Sequence, residues 1–131
     1  FDQVQILALG GHIDEPKHYN GNTLVLSQHS SFEIIEPVSC SLEQGKEILR
    51  ILDALPDGES MRCYISGFAI QLSSKGEAVF TTALCWHCNN GAIIGSIALL
   101  DWLTFDGDSE PALKLLSLCE EITGMPKTTS V

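Results

Sequence analysis

The segment FAIQLSSKGEAVFTTAL, residues 68–84, decides the fold because it contains two alternating apolar runs around a polar turn. Alternation with a period of two is typical of a half-buried β-strand. Matching the two apolar faces requires paired residue numbers that sum to an even value of about 150. The segment therefore predicts a β-hairpin. The side chains expected on its buried face are Phe68, Ile70, Leu72, Phe80 and Leu84.

Five further apolar runs outside this hairpin predict short strands. The Gly10-Gly11 pair predicts the end of the first run, and Pro37 predicts the end of the third. The strand–turn–strand spacing is too short for helical crossovers, so a doubly wound fold is not expected. The predicted strands outside the hairpin are 4–9, 23–26, 32–36, 92–94 and 101–105.

Two stretches carry the start and stop signals of helices. Ser41 and Gln44 form a capping box before the first helix, which Pro56 should end. Ser109 is the expected N-cap of the second helix, and Gly124 is placed to cap its C-terminus. Together, the predicted strands and helices indicate a single α+β domain over residues 1–131, with a C-terminal tail at 125–131. We expect a largely antiparallel sheet of about six strands with the two helices on one face.

The charge balance excludes some partners and favours others. The chain has 17 acidic and 7 basic residues, a formal net charge of −10. Such a surface repels nucleic acid and anionic lipid, which need basic patches, and it attracts a basic protein. Solubility alone is the alternative reason for the charge. No apolar run approaches the roughly 20 residues of a membrane helix.

Three of the five cysteines flank the hairpin: Cys63 before it, and Cys85 and Cys88 after it. Strand pairing should bring them within disulfide range. The leading interpretation is a disulfide from Cys63 to Cys85, or else to Cys88. The alternatives are a zinc site of Cys63, Cys85, Cys88 and a histidine, or a thiol redox site.

The sequence around the cysteines argues against both alternatives to the disulfide, the zinc site and the redox site. A zinc ribbon has two CxxC-like knuckles and this chain has one, with His87 inside it. A thioredoxin-like site needs its first cysteine at a helix N-terminus, whereas Asn89-Asn90-Gly91 predicts a turn. We therefore expect no cofactor, with zinc as the alternative. This number of cysteines also favours an oxidising compartment, a periplasm or another exported location. A start at Phe1 fits either a mature exported chain or a trimmed one.

Other candidate sites are weaker. His12, Asp14, Glu15 and His18 share one polar segment, which is more typical of a solvated loop than of a metal site. Asp106-Gly107-Asp108 is better explained by helix capping than by a calcium loop. No nucleophile elbow, Walker loop or dinucleotide fingerprint is present in the sequence, so no catalytic residue is predicted.

One segment resembles a motif of small bacterial proteins. Arg62-Cys63, a short strand and then Cys85-Trp86-His87-Cys88-Asn89 match the pattern Arg-Cys, alternating strand, Cys-aromatic-x-Cys-Asn. The match covers about Arg62 to Ile94. Some small acidic exported proteins of this general type are immunity proteins, which block toxins delivered between bacteria. The likeness to immunity proteins is a similarity of general protein class and not a match of sequence motifs.

These observations predict a non-enzymatic acidic binding protein, most concretely a periplasmic immunity-type inhibitor of a basic toxin or hydrolase. The alternatives are a thiol redox protein and a zinc-stabilised interaction domain. A homodimer through an edge strand is a further possibility. Three acidic segments are the predicted partner-binding surface. They contain Asp14 and Glu15, then Asp57 and Glu59, and then Asp106, Asp108 and Glu110.

Overall fold

The computed structural model describes residues 1–13, 23–27, 30–61, 67–95 and 99–125. Within these residues the chain forms one sheet of seven strands and two helices, which confirms the α+β prediction, and each of the seven strands overlaps a segment predicted as a strand. The strands are β1 (Gln3–Ile13), β2 (Thr23–Ser27), β3 (Ser30–Ser39), β4 (Phe68–Ser74), β5 (Glu77–Cys85), β6 (Asn90–Ile94) and β7 (Leu99–Thr104). The helices are α1 (Leu42–Ala54) and α2 (Glu110–Thr123).

The sheet has the strand order β2-β3-β1-β4-β5-β6-β7, and every neighbouring pair is antiparallel. Strand β1 lies between β3 and β4 and is antiparallel to both, so β3 and β4 run parallel to each other. Helix α1 joins these two strands and is therefore a crossover connection around β1. The sequence spacing predicted hairpin connections throughout and did not reveal this crossover. The reason is that β1, from the start of the chain, lies between the two strands that α1 joins.

The predicted hairpin forms with its apolar faces matched. Phe68 pairs with Leu84, and Leu72 pairs with Phe80. The reversal at Lys75 and Gly76 has φ values of 53° and 82°, the left-handed values of a two-residue primed turn. The register shifts by one residue after Leu72, which accommodates this tight turn.

Two of the predicted strand ends are wrong. β3 continues past Pro37, which lies opposite Leu7 of β1. β2 pairs only with the first part of β3, so the side of Pro37 away from β1 has no paired strand and its missing N–H costs no ladder bond. β1 likewise continues through the Gly10-Gly11 pair, where two register shifts absorb the irregularity.

Both helices pack on the same face of the sheet, as predicted. Ile6 of β1, Phe68 of β4, Ile48 of α1 and Leu115 of α2 belong to one buried cluster. A second, smaller cluster lies on the opposite face, where Ala69, Ala83 and Ala92 are directly paired across three strands. The predicted caps are confirmed: Ser41 and Gln44 form the capping box, Ser109 caps α2, and Gly124 ends it at φ 69°.

Glu47 forms one ion pair within α1 and a second ion pair that joins α1 to α2. The carboxylate of Glu47 on α1 lies 2.6 Å from the Arg50 guanidinium and 3.0 Å from the Lys114 ammonium on α2. The hydrogen bonds from Arg50, and then from Lys114, lower the pKa of Glu47 to about 2. The charged form of Glu47 is therefore favoured by folding.

Glu47→Gln should remove a pH-dependent part of the stability. Because folding depresses the pKa of Glu47, its contribution is present above the ordinary glutamate range and is lost as the pH falls towards about 2. We expect the difference in unfolding free energy between wild type and variant to shrink between about pH 5 and pH 2. Urea unfolding across this range measures it. Glu121→Gln, at an exposed position of α2, is the control; an equal trend there would contradict the interpretation.

Candidate functional site

The Cys-Trp-His-Cys segment is a turn between two strands. Cys85 ends β5 and pairs with Asn90, the first residue of β6. Asn89 has a φ of 57°, a left-handed value that asparagine tolerates well. The turn leads into a strand and not into a helix, so no helix dipole acts on either cysteine from this segment.

The two cysteines of the turn are in different states. Cys88 is disulfide-bonded, whereas Cys85 is a reduced thiol whose Sγ accepts a hydrogen bond of 3.3 Å from the Cys88 backbone N–H. The sequence predicted a disulfide from Cys63 to Cys85, or else to Cys88; of the latter two residues, Cys88 is the one that is disulfide-bonded. Cys85 is instead held under the turn by the Cys88 amide. Cys63 lies outside the described residues.

The remaining described thiols have environments that disfavour reactivity. Cys119 is fully buried on α2, and burial raises the pKa of its thiol well above the ordinary range. Partial burial also raises the pKa of Cys40. Since the thiolate is the nucleophile, neither group is activated at neutral pH.

Trp86 attaches the turn to the core. Its indole N–H donates a hydrogen bond of 2.8 Å to the carbonyl of Ala112 in the first turn of α2. Its ring makes edge-to-face contacts with Phe68 and Phe105, at centroid distances of 6.3 and 6.2 Å. Such contacts add to the free energy of burial. Trp86 is thus a structural residue and is not available to a ligand.

Asn89 ties two distant loops to this turn. Its side chain donates to the carbonyl of Glu59 at 3.1 Å and accepts from the N–H of Gly107 at 2.8 Å. The loop after α1 and the loop before α2 also bond directly, because the Asp106 N–H donates to the Pro56 carbonyl at 2.9 Å. Residues 56–61 and 105–107 therefore lie side by side although they are far apart in sequence.

This arrangement joins two of the three predicted acidic segments into one surface, which we call the acidic ridge. Most of its carboxylates are exposed, and Asp106 is half-buried. Within the described residues, no lysine or arginine forms an ion pair with the ridge. The third segment, with Asp14 and Glu15, lies outside the described residues. The acidic ridge consists of Asp57, Glu59, Asp106, Asp108 and Glu110.

Asp57 is the ridge carboxylate with the clearest local support. Its Oδ1 accepts hydrogen bonds from the Thr104 hydroxyl at 2.5 Å and from the Gly58 N–H at 3.0 Å. These bonds, that of Thr104 first, lower the pKa of Asp57. The ridge therefore keeps a negative charge at this point below the ordinary aspartate range.

A pocket of about 240 Å³ opens beside Asp57, between the end of α1 and strands β5 and β7. Thr82 of β5 lines it and is buried, and within the described residues its Oγ1 has no hydrogen-bond partner. Sequence reasoning missed this site. The only signal was a threonine between Phe80 and Leu84 on an otherwise apolar face. The lining residues are Leu52, Leu55, Phe80, Thr82, Leu103 and Thr104.

The other candidate sites gain little support. In the described part of the chain, no three histidine, cysteine, aspartate or glutamate side chains are placed so that they could hold a metal ion. The side chain of His12, all of His18 and the acidic pair between them lie outside it. The Asp106 carboxylate accepts from the Asp108 N–H at 2.9 Å, as a loop preceding a helix often does.

Comparisons with known proteins leave the identity open. No protein-family model matches the chain, and no curated protein and no solved structure matches it. The resemblance over Arg62 to Ile94 therefore stays a prediction. Among the described residues, no helix has the length and apolar character needed to cross a membrane.

Gly107→Ala should destabilise the protein because the turn requires a glycine there. An added Cβ would lie 2.0 Å from the carbonyl oxygen of Trp86. We expect a loss of about 3 kcal/mol or more in the free energy of urea unfolding. Gly76→Ala is the control: its site is open, and only its φ of 82° is strained, at about 1–2 kcal/mol. Equal losses would contradict the close approach at Gly107.

Alkylation with iodoacetamide followed by mass spectrometry should separate the cysteines. Cys85 and Cys119 are fully buried, so we expect only slow labelling of half-buried Cys40 in the native protein. Among the described cysteines, denaturant should expose Cys40, Cys85 and Cys119, and denaturant with reductant should expose Cys88 as well. Rapid native labelling of Cys85 would contradict the structural role and favour a redox site.

Proposed function

We propose that this chain is a non-enzymatic acidic binding protein, most concretely a periplasmic immunity-type inhibitor that covers a basic toxin or hydrolase. The observation that carries the proposal is the acidic ridge. Two separate loops contribute four of its five carboxylates, and the first residue of α2 contributes the fifth. Hydrogen bonds through Asn89 and between Asp106 and Pro56 hold the loops together. Bringing like charges together costs free energy, which a cationic partner would recover.

The ridge also has the order that a binding surface needs. Gly58 and Gly107 allow the loops to lie against neighbouring backbone, because a Cβ at either position would collide with a carbonyl oxygen. Short, hydrogen-bonded loops lose little conformational entropy when they bind. A fixed array of negative charge would raise the association rate with a basic protein and make it salt-dependent.

The thiol-based alternatives receive less support. Cys85 and Cys88 have no exposed surface, and a redox site must be reached by its partner. A zinc site built on Cys63, Cys85 and Cys88 needs Cys88 as a thiolate, whereas Cys88 is disulfide-bonded. A disulfide at a buried turn residue such as Cys88 stabilises the fold, which suits an exported binding protein.

A matched pair of fourfold variants tests the ridge. The ridge variant is Asp57→Asn, Glu59→Gln, Asp108→Asn and Glu110→Gln. The control changes four exposed carboxylates elsewhere by the same charge: Glu36→Gln, Glu43→Gln, Glu77→Gln and Glu121→Gln. Immobilised wild-type protein first recovers basic proteins from periplasmic and secreted fractions, and calorimetry then measures affinity at low and high salt.

We expect the ridge variant to bind the recovered protein about tenfold or more weakly, with a flatter salt dependence, because the local field is removed. The control should bind within about threefold of wild type, since distant exposed charges are screened. Equal weakening by both variants would show that net charge, and not the ridge, governs binding. Recovery of no basic protein, or no effect of either variant, would contradict the proposed function.

A further inference from the structure

The pocket beside the acidic ridge has the size and lining of a site for one side chain. Leu52 and Leu55 form one apolar wall, and Phe80 and Leu103 form the other. Its volume of about 240 Å³ lies below the range of roughly 300–1,000 Å³ typical of sites that enclose a whole drug-sized molecule. An aromatic or aliphatic anchor from a partner therefore fits it better than a cofactor.

Thr82 places a polar group inside this apolar pocket. The residue is 2% exposed, and within the described residues its hydroxyl has no hydrogen-bond partner. A buried hydroxyl that lacks a partner costs free energy, and most buried polar groups in proteins have a partner. A ligand group with a hydroxyl at the end of an apolar body would hydrogen-bond the Thr82 hydroxyl and would fill the pocket at the same time.

The mouth of the pocket is negative. Thr104 lines the pocket and donates its hydroxyl hydrogen to the Asp57 carboxylate at 2.5 Å. The last turn of α1, which supplies Leu52, contains no basic residue, so the negative end of the helix dipole is not offset there. A cation next to the apolar anchor would interact favourably with both features.

We infer that this pocket accepts a tyrosine side chain flanked by a lysine or arginine on the basic protein partner. The tyrosine ring packs between the leucines and Phe80, its phenol hydroxyl hydrogen-bonds Thr82, and the neighbouring cation lies against Asp57. Tyrosine and arginine are enriched among the residues that dominate binding energy at protein interfaces. The inference deepens the proposed function and rests on it for the charge of the partner.

Three small probes separate the ring, the hydroxyl and the charge. Tyramine carries all three, phenethylamine lacks the hydroxyl, and 4-ethylphenol lacks the ammonium. Titration of the ¹⁵N-labelled protein should show tyramine binding at roughly millimolar concentration, with shifts at Leu55, Thr82 and Leu103. Phenethylamine and 4-ethylphenol should each bind about two- to tenfold more weakly, which corresponds to one net hydrogen bond or charge contact.

Single substitutions assign each preference to a residue. Thr82→Val should abolish the difference between tyramine and phenethylamine and should not lower the melting temperature, because it removes a hydroxyl that lacks a partner. Asp57→Asn should abolish the difference between tyramine and 4-ethylphenol. Thr81→Val is the control: Thr81 is the preceding residue of β5, on the opposite face of the sheet, where its hydroxyl accepts from Gln71 at 3.1 Å. It should leave both differences unchanged.

Equal binding of tyramine and phenethylamine to wild type would overturn the inference, since water would then satisfy Thr82. Chemical-shift changes confined to other parts of the protein would overturn it as well.

The basic protein that is recovered by its binding to the ridge gives a second measurement. Leu55→Trp fills the pocket from its half-buried edge and should weaken the complex with that protein about tenfold. An unchanged complex would overturn the pocket inference and leave the ridge intact. Selective tyramine binding without any basic partner would support the pocket and contradict the proposed function.

Discussion

The buried indole of Trp86 joins parts of the molecule that are far apart in sequence. Its N–H bonds to the start of α2, and its ring lies edge-on to Phe68 of the central hairpin and to Phe105 before α2. These contacts hold the turn after β5 in one position. Because Asn89 of the same turn bonds to both neighbouring loops, the position of the acidic ridge depends on Trp86.

Two unusual features lie next to each other on this framework. The ridge gathers five carboxylates that, within the described residues, have no ion-pair partner, and the adjacent pocket contains the buried hydroxyl of Thr82. Ser31 is another buried hydroxyl without a hydrogen-bond partner within the described residues, whereas the Glu47 carboxylate is paired with Arg50 and Lys114. Natural proteins depart from the usual pairing of charges and polar groups mainly at functional sites. The coincidence of the two features is the reason why we propose a binding surface here.

The cysteines support this framework more than they suggest chemistry. Cys119 and Cys85 are packed in the interior as small apolar groups, and the Cys88 amide donates to the Cys85 sulfur. The disulfide at Cys88 lies in the same turn as Trp86 and Asn89. A covalent bond, a buried aromatic contact and a side-chain bridge therefore act within four consecutive residues on the segment to which both acidic loops are attached.

The sequence by itself determined the local features, because they depend on neighbours along the chain. Alternation specified the hairpin faces, and capping residues specified the helix ends at Ser41, Ser109 and Gly124. Only the tertiary structure decided the insertion of β1 between β3 and β4, and with it the passage of β3 through Pro37. The same holds for the union of two acidic loops around Asn89 and for the pocket at Thr82. These features arise from contacts between residues distant in sequence, whose formation depends on how whole elements pack and is not encoded in any local pattern.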